Sequence, residues 1–216
     1  MRRAFGRWGR PERFRVDNGV PWGSSGDLPT DLSLWLIGLG IEVIWNPPRS
    51  PQDNGVVERS QGTAKRWAEP GLFASPEELQ GRLERMDVVE REAYPSVKGR
   101  SRLEAFPGLV HSGRDYTPAW EESLWDVKKV HEHLSRYAVP RRVDLSGKAS
   151  LYNRYYYVGI IHKGKTAFAM LDPESGEWIF ADAQGRQLRR RPACERSREN
   201  ILALTETRRR NGTNEQ

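Results

Sequence analysis

The chain contains 216 residues, with 35 Lys and Arg against 29 Asp and Glu, and it carries a formal net charge of +6. Its mean hydropathy is −0.77, and no apolar run approaches the roughly 18 residues of a membrane-spanning helix, which excludes a transmembrane protein. The N-terminus is basic without the apolar stretch of a secretory signal, and the single cysteine, Cys194, cannot form an internal disulfide. These features predict a cytoplasmic chain of one or two domains.

The charge is unevenly distributed along the sequence. Residues 1–68 carry a net charge of +3 and residues 69–137 carry −3, whereas residues 138–188 and 189–216 carry +2 and +4. Basic outer segments around an acidic middle favour contact with a polyanion such as nucleic acid. The C-terminal charge comes mainly from two runs of three arginines, which are equally typical of a solvated tail.

The first 68 residues predict alternating strands and helices. In chain order we expect a strand at 13–16, a helix marked by Leu28, Leu32 and Leu39 at helical spacing, a strand at 41–45, a proline-rich loop at 46–55 and a helix at 55–68. Thr30 and Asn54 are suited to cap the two helices, and Gly40 is a stop signal after the first. Strands that alternate with helices indicate an α/β fold.

The rest of the chain predicts helices followed by short strands. Ser75, Pro76 and Glu78 are typical of a helix start, so we expect a helix over 77–91, an irregular segment over 94–116 and a second helix over 120–134. From about Val139 the hydrophobic period changes to two. The expected strands are 143–145, 149–161, 166–171, 178–181 and 187–190. Their spacing predicts a small β-barrel.

Two carboxylates stand out by their positions. Asp17 closes the first predicted strand, and Glu58 lies one turn into the helix that follows the proline-rich loop. Carboxylates on neighbouring elements suit a hard divalent cation such as Mg²⁺. Gly62 and Lys65 share the helix face of Glu58, which would let a phosphate backbone approach. The alternative is an ordinary Asp-Asn-Gly turn and a solvated glutamate.

The sequence around these carboxylates resembles the catalytic core of DDE transposases and integrases, the superfamily of bacterial insertion-sequence transposases and retroviral integrases. The resemblance depends on Asp17-Asn18-Gly19 and on the later run Pro-Gln-Asp-Asn-Gly-Val-Val-Glu-Arg, residues 51–59. It covers about residues 10–68, extends weakly through residues 94–107, and includes a likeness of residues 138–190 to the small β-barrel that follows the core in many of these enzymes.

The resemblance implies an RNase H-like fold and metal-dependent phosphoryl transfer on DNA, with Mg²⁺ or Mn²⁺ as cofactor. Asp17 would be the second acid of the catalytic triad and Glu58 the third, both acting as metal ligands. Arg59 and Lys65 would contact DNA beside them. Expected partners are DNA at transposon ends and target sites, further copies of the chain, and an upstream-encoded transposase half.

The sequence departs from the family pattern in two respects. Forty residues lie between Asp17 and Glu58, slightly more than the usual interval. The first catalytic aspartate is missing, because the only acid before Asp17 is Glu12, which lies next to the same predicted strand. We therefore expect the C-terminal portion of a transposase that is inactive alone. The alternatives are a non-catalytic DNA-binding or assembly remnant and a decayed product without a role.

On this interpretation the chain has four parts. They are the C-terminal half of an integrase-type core at 1–68, a helical connector at 69–137, a small β-barrel at 138–190 and a basic, flexible tail at 191–216.

The predicted barrel offers further DNA contacts. Arg141, Arg142, Lys163 and Lys165 could bind phosphates without regard to sequence. Four tyrosines, Tyr152 and Tyr155–Tyr157, are typical of barrel core and cross-strand pairs, and less often form a platform on which bases stack. Both interpretations of these tyrosines remain open from the sequence. The histidines do not have the spacing of zinc ligands with Cys194.

Overall fold

The structure, a computed structural model, describes residues 1–19, 21–23, 27–47 and 55–203. These residues form eight α-helices, α1 (Arg2–Trp8), α2 (Asp31–Gly38), α3 (Gly55–Trp67), α4 (Pro76–Glu92), α5 (Arg102–Ala105), α6 (Glu121–Leu124), α7 (Val127–Leu134) and α8 (Arg198–Leu202). They also form eight strands, β1 (Arg13–Val16), β2 (Glu42–Trp45), β3 (Val139–Arg142), β4 (Lys148–Leu151), β5 (Arg154–Tyr157), β6 (Thr166–Asp172), β7 (Glu177–Ala181) and β8 (Gln187–Pro192). The prediction of a mixed α/β chain is confirmed.

The contacts divide the chain into two compact units. The first unit joins Met1–Asp17 to Ile44–Trp120, and the second joins Asn18–Val43 to the part of the chain that follows Trp120. None of the helices in the described residues combines the length and apolar content that crossing a membrane requires.

The four elements expected within the first 68 residues are all present. β1 pairs with β2 in a two-stranded sheet, and the Asn46 amide donates to the Val16 carbonyl at 2.9 Å. Thr30 caps α2 as predicted, because its side chain accepts the Ser33 amide at 3.4 Å. The proposed cap Asn54 and most of the proline-rich loop lie outside the described residues.

Helix α4 begins where the sequence predicts. The Ser75 hydroxyl accepts the Glu78 amide at 3.2 Å, while the Glu78 carboxylate accepts the Ala74 amide at 3.0 Å. The unpaired Glu78 amide in the first turn and the Ala74 amide just before the cap are thus satisfied. The segment expected to be irregular contains the short helix α5. Ser101 and Glu104 form a complete capping box at the start of this helix.

The prediction of a single helix over 120–134 is wrong, because the chain forms α6 and α7 with a break between them. Asp126 causes the break, since its side chain accepts the Lys128 amide at 2.9 Å and caps a new helix. The preceding Trp125 is 3% exposed, and its indole N–H donates to the Trp35 carbonyl at 3.1 Å. Burial of the indole therefore fixes the point at which one helix stops and the next starts.

The C-terminal strands form an open sheet and a hairpin, and within residues 138–203, all of which the structure describes, they do not close into the predicted barrel. Four antiparallel strands have the order β3-β6-β7-β8, and among the strands of the described residues β4 pairs only with β5. The hairpin packs on the sheet through Tyr156 against Phe180, with ring centroids 5.9 Å apart, and through Tyr152 against Trp178 at 6.4 Å. The side chains of Trp178 and Phe180 are completely buried, so the two layers share one core.

Two of the predicted strand positions need correction. The first strand occupies Val139–Arg142 instead of 143–145, because Pro140 is tolerated at the edge of a sheet, where β3 lies. The run expected as one strand at 149–161 turns back at Tyr152 and Asn153, whose φ angles are 48° and 61°. Positive φ at two successive residues is typical of a tight hairpin turn.

The described start of the predicted tail, residues 191–203, has regular structure. β8 runs to Pro192, and α8 buries Ile201 at 1% exposure. The Ser197 hydroxyl accepts the Asn200 amide at 3.4 Å and caps α8. Residues 204–216, which include the second arginine run, lie outside the described part of the chain.

Candidate functional site

Asp17 lies directly after β1, with an exposed side chain. In the strand before it, Arg13 and Arg15 are exposed, Phe14 is half-buried and Val16 is 5% exposed. This alternation directs Val16 into the core. Asp17 therefore follows the point where the strand leaves the protein interior, as the sequence predicts.

Glu58 occupies the first turn of α3 and is exposed. The opposite face of the helix is held to α4, because the Ser60 hydroxyl donates to Glu90 at 3.5 Å and Arg82 donates to the Trp67 carbonyl at 3.0 Å. Residues four and seven positions after Glu58 share its face. The face that carries Glu58 is therefore directed away from α4.

Gly62 and Lys65 continue the Glu58 face as predicted. The Lys65 side chain is exposed. Beyond the helix's own backbone, no heavy atom of the described residues lies within 4 Å of the position that a Cβ would take at Gly62. The helix therefore presents a carboxylate, an open position and a cation in one line. Arg59 is also exposed, about 100° around the helix from Glu58.

Both carboxylates belong to the first compact unit. Within the described ranges, no three or more His, Cys, Asp or Glu side chains gather into a cluster that could hold a metal ion. Two carboxylates nevertheless suit Mg²⁺, which is usually held by one or two of them together with waters and substrate phosphates. Asp17 and Glu58 are each of the ligand type that a hard cation prefers.

Arg141, one of the predicted phosphate contacts, forms an ion pair and a hydrogen bond inside the second unit. Its guanidinium makes a bidentate ion pair with Asp27, with N–O distances of 2.8 and 3.0 Å. Its Nε donates to the Ser150 carbonyl at 2.9 Å, and the side chain is 22% exposed. Arg141 lies opposite the buried Ala167 in the β3–β6 register, so strand alternation turns its side chain toward the hairpin.

Arg142, Lys163 and Lys165 differ from the half-buried Arg141, because all three side chains are exposed. Arg142 lies opposite Thr166 at the start of β6. The next residue, Val143, donates to the Lys165 carbonyl at 2.9 Å and accepts the Gly164 amide at 2.8 Å. These bonds bring the three cations to one end of β3, and we call them the basic edge.

The four tyrosines divide into a buried pair and an exposed pair. Tyr152 and Tyr156 pack in the core, where burial raises the pKa of each phenol. Tyr155 is 69% exposed and Tyr157 is 39% exposed. Alternation along β5 separates the buried ring from the exposed rings, and the sequence gives no sign of which set faces the sheet.

Several buried polar contacts were missed by the sequence reasoning. Glu195 accepts the Trp178 indole N–H at 2.9 Å and the Tyr156 hydroxyl. Arg196 pairs with Asp31, and its guanidinium lies 3.8 Å from the centroid of the Tyr152 ring. The run of charged residues that contains Glu195 and Arg196 resembles a solvated surface, so only the tertiary fold identifies these contacts.

A cleft of about 600 Å³ lies in the second unit. Its walls include Arg141 and Arg196, each paired with an aspartate that also lines the cleft. The ion pairs cancel the charge that would attract a phosphate. The cleft is therefore a poorer candidate for nucleic-acid contact than the basic edge.

No model of a known protein family matches this chain.

Proposed function

We propose that this chain is a DDE-type transposase or integrase polypeptide whose reaction is metal-dependent phosphoryl transfer on DNA, within an RNase H-like core. The observation that carries the proposal is the exposed α3 face, on which Glu58, Gly62 and Lys65 lie in line. The strand-end position of Asp17 in the same compact unit supports it.

Asp17 and Glu58 would hold Mg²⁺ or Mn²⁺, which supplies activation of the attacking hydroxyl and stabilisation of the leaving oxygen in such reactions. The open position at Gly62 leaves space for the DNA backbone beside Glu58. Lys65 and Arg59 provide positive charge for its phosphates. The positive net charge of the chain favours approach of a polyanion.

The family completes its site with a further aspartate, and the sequence before Asp17 offers only Glu12. We propose that Asp17 and Glu58 form only part of the site, and that the further acid comes from outside residues 1–216. An upstream-encoded transposase half is the proposed source of that acid. DNA ends, target DNA and further copies of the chain are the other proposed partners.

The test is cleavage and strand transfer of a labelled DNA end in Mg²⁺ or Mn²⁺, by the chain alone and mixed with a polypeptide that carries the upstream half. We expect activity only in the mixture, and Glu58→Gln or Asp17→Asn should lower it by about 100-fold or more. Glu77→Gln is the matched control, because Glu77 is an exposed glutamate in the first turn of α4. Equal effects of Glu58→Gln and Glu77→Gln would contradict the proposed role of Glu58.

A second candidate is a non-catalytic DNA-binding or assembly protein, which the basic edge favours. In that case DNA binds without cleavage in any mixture. Replacing Arg142, Lys163 and Lys165 by glutamine should weaken binding to all sequences alike and flatten its salt dependence. Unchanged binding in the triple variant would remove the support for this candidate.

A further inference from the structure

The outer face of the β4–β5 hairpin carries two exposed aromatic rings. In the register of the hairpin, Tyr155 lies opposite Ser150 and Tyr157 lies opposite Lys148. Ala149 and Tyr156 form the pair between them, and both are buried. Because side chains alternate along a strand, Tyr155 and Tyr157 project from the face opposite to the core.

The spacing of these rings suits a polynucleotide strand. Residues two apart on one strand are separated by roughly 7 Å along it, so each ring is available to a different base. Aromatic side chains arranged on a β-sheet surface are a recurrent way to stack two or three unpaired bases. A base pair in an intact duplex does not expose its faces in this manner.

Positive charge accompanies the rings. The Arg189 guanidinium carbon lies 5.8 Å from the centroid of the Tyr157 ring. Lys148 is exposed on the same hairpin face as Tyr157. Aromatic rings beside cations match the bases and phosphates of a single strand.

The exposed apolar area continues beyond the hairpin. The Ile160 amide donates to the Tyr157 hydroxyl at 3.3 Å, and Ile160 and Ile161 are 47% and 76% exposed. A protein partner could cover such an area, but it would not require the two cations, Arg189 and Lys148, that accompany Tyr157. The positive charge beside the exposed rings therefore favours a nucleic acid.

We infer that the outer face of the β4–β5 hairpin binds unpaired DNA by stacking two bases on Tyr155 and Tyr157, with Arg189 and Lys148 at the phosphates. This surface lies in the second unit, whereas Asp17 and Glu58 lie in the first. Binding there requires neither carboxylate nor metal ion. It is therefore separable from phosphoryl transfer, and it adds a single-strand preference that the basic edge does not supply.

The test is fluorescence anisotropy of a labelled oligothymidylate and of a duplex of equal length, titrated with the full chain in EDTA. The double substitution Y155A/Y157A should lower affinity for the single strand by about 25-fold or more, since each stacked ring contributes about fivefold or more. Affinity for the duplex should change by less than about twofold. The double substitution Y155F/Y157F should retain binding, because it keeps both rings and removes only the hydroxyls.

Tyr94→Ala is the matched control, because Tyr94 is 48% exposed in the first unit. Circular dichroism should show that all variants are folded. Equal losses for single strand and duplex, a loss on Tyr94→Ala, or unchanged binding in Y155A/Y157A would each overturn the inference. Loss of self-association in the double alanine variant with no change in DNA binding would assign the surface to a protein partner instead.

Discussion

Trp125 packs against α2 at Gly38, so that even the methyl group of alanine should destabilise the protein at this position. A Cβ at residue 38 would lie 2.1 Å from the Trp125 Nε1 and 2.2 Å from its Cε2. The indole cannot move away without loss, because it is 3% exposed and its N–H donates to the Trp35 carbonyl at 3.1 Å. We therefore expect Gly38→Ala to destabilise the second unit.

The magnitude has two parts. Overpacking a filled core costs about 1–3 kcal/mol, and leaving the buried indole N–H without its acceptor adds about 1–3 kcal/mol. The expected loss is about 2–6 kcal/mol in the free energy of unfolding. Gly62→Ala is the matched control, because the space around Gly62 is open and alanine in a helix interior gains up to about 1 kcal/mol over glycine.

The measurement is hydrogen exchange by mass spectrometry across a urea series, with separate peptides covering α2 and α3. Gly38→Ala should lower the urea midpoint of the α2 peptide by about 1 M or more, and Gly62→Ala should raise that of the α3 peptide. A Gly38→Ala protein within about 0.5 kcal/mol of the original would refute the described packing of Trp125 on α2.

Two further predictions concern charges of the second unit. Asp27→Asn should cost about 1 kcal/mol in urea unfolding. Hydrogen bonding from Arg141 lowers the pKa of Asp27, so this contribution is present at neutral pH and is lost as the pH falls through the folded-state pKa, below about 4. Burial lowers the pKa of His131 and of His133, so both are neutral in the fold and stability should fall as the pH drops below about 6.5. Replacing both by glutamine should reduce the pH dependence of the free energy of unfolding below about pH 6.5. An unchanged pH dependence would contradict this origin.

Local signals in the sequence were sufficient for the elements around the candidate acids. Thr30 and Ser75 each predict the start of a helix, because a hydroxyl at the N-cap satisfies an unpaired amide of the first turn. This does not depend on what the helix packs against. The exposed positions of Asp17 and Glu58 likewise follow from the alternation of β1 and the helical period of α3. These properties depend on a few neighbouring residues, so one sequence is enough to predict them.

The errors occurred where tertiary contacts override the local pattern. Residues 120–134 carry enough helix formers for one helix, but burial of Trp125 and capping by Asp126 divide it. The ion pair of Arg141 with Asp27 was also missed, because the two residues are 114 positions apart in the chain. A local sequence pattern contains no information about a contact at that separation.

The division of the hairpin tyrosines into buried and exposed rings follows from the same physics. A strand of consecutive tyrosines must bury one ring and expose its neighbours, but the register alone decides which, and a slip of one residue would reverse the two faces. The turn at Tyr152 and Asn153 sets that register and directs Tyr156 inward against Phe180. The exposed rings therefore belong to a unit that holds neither candidate acid. The double substitution Y155A/Y157A should reduce DNA binding without altering the residues proposed to bind metal. Glu58→Gln should reduce phosphoryl transfer without altering the rings proposed to stack on bases.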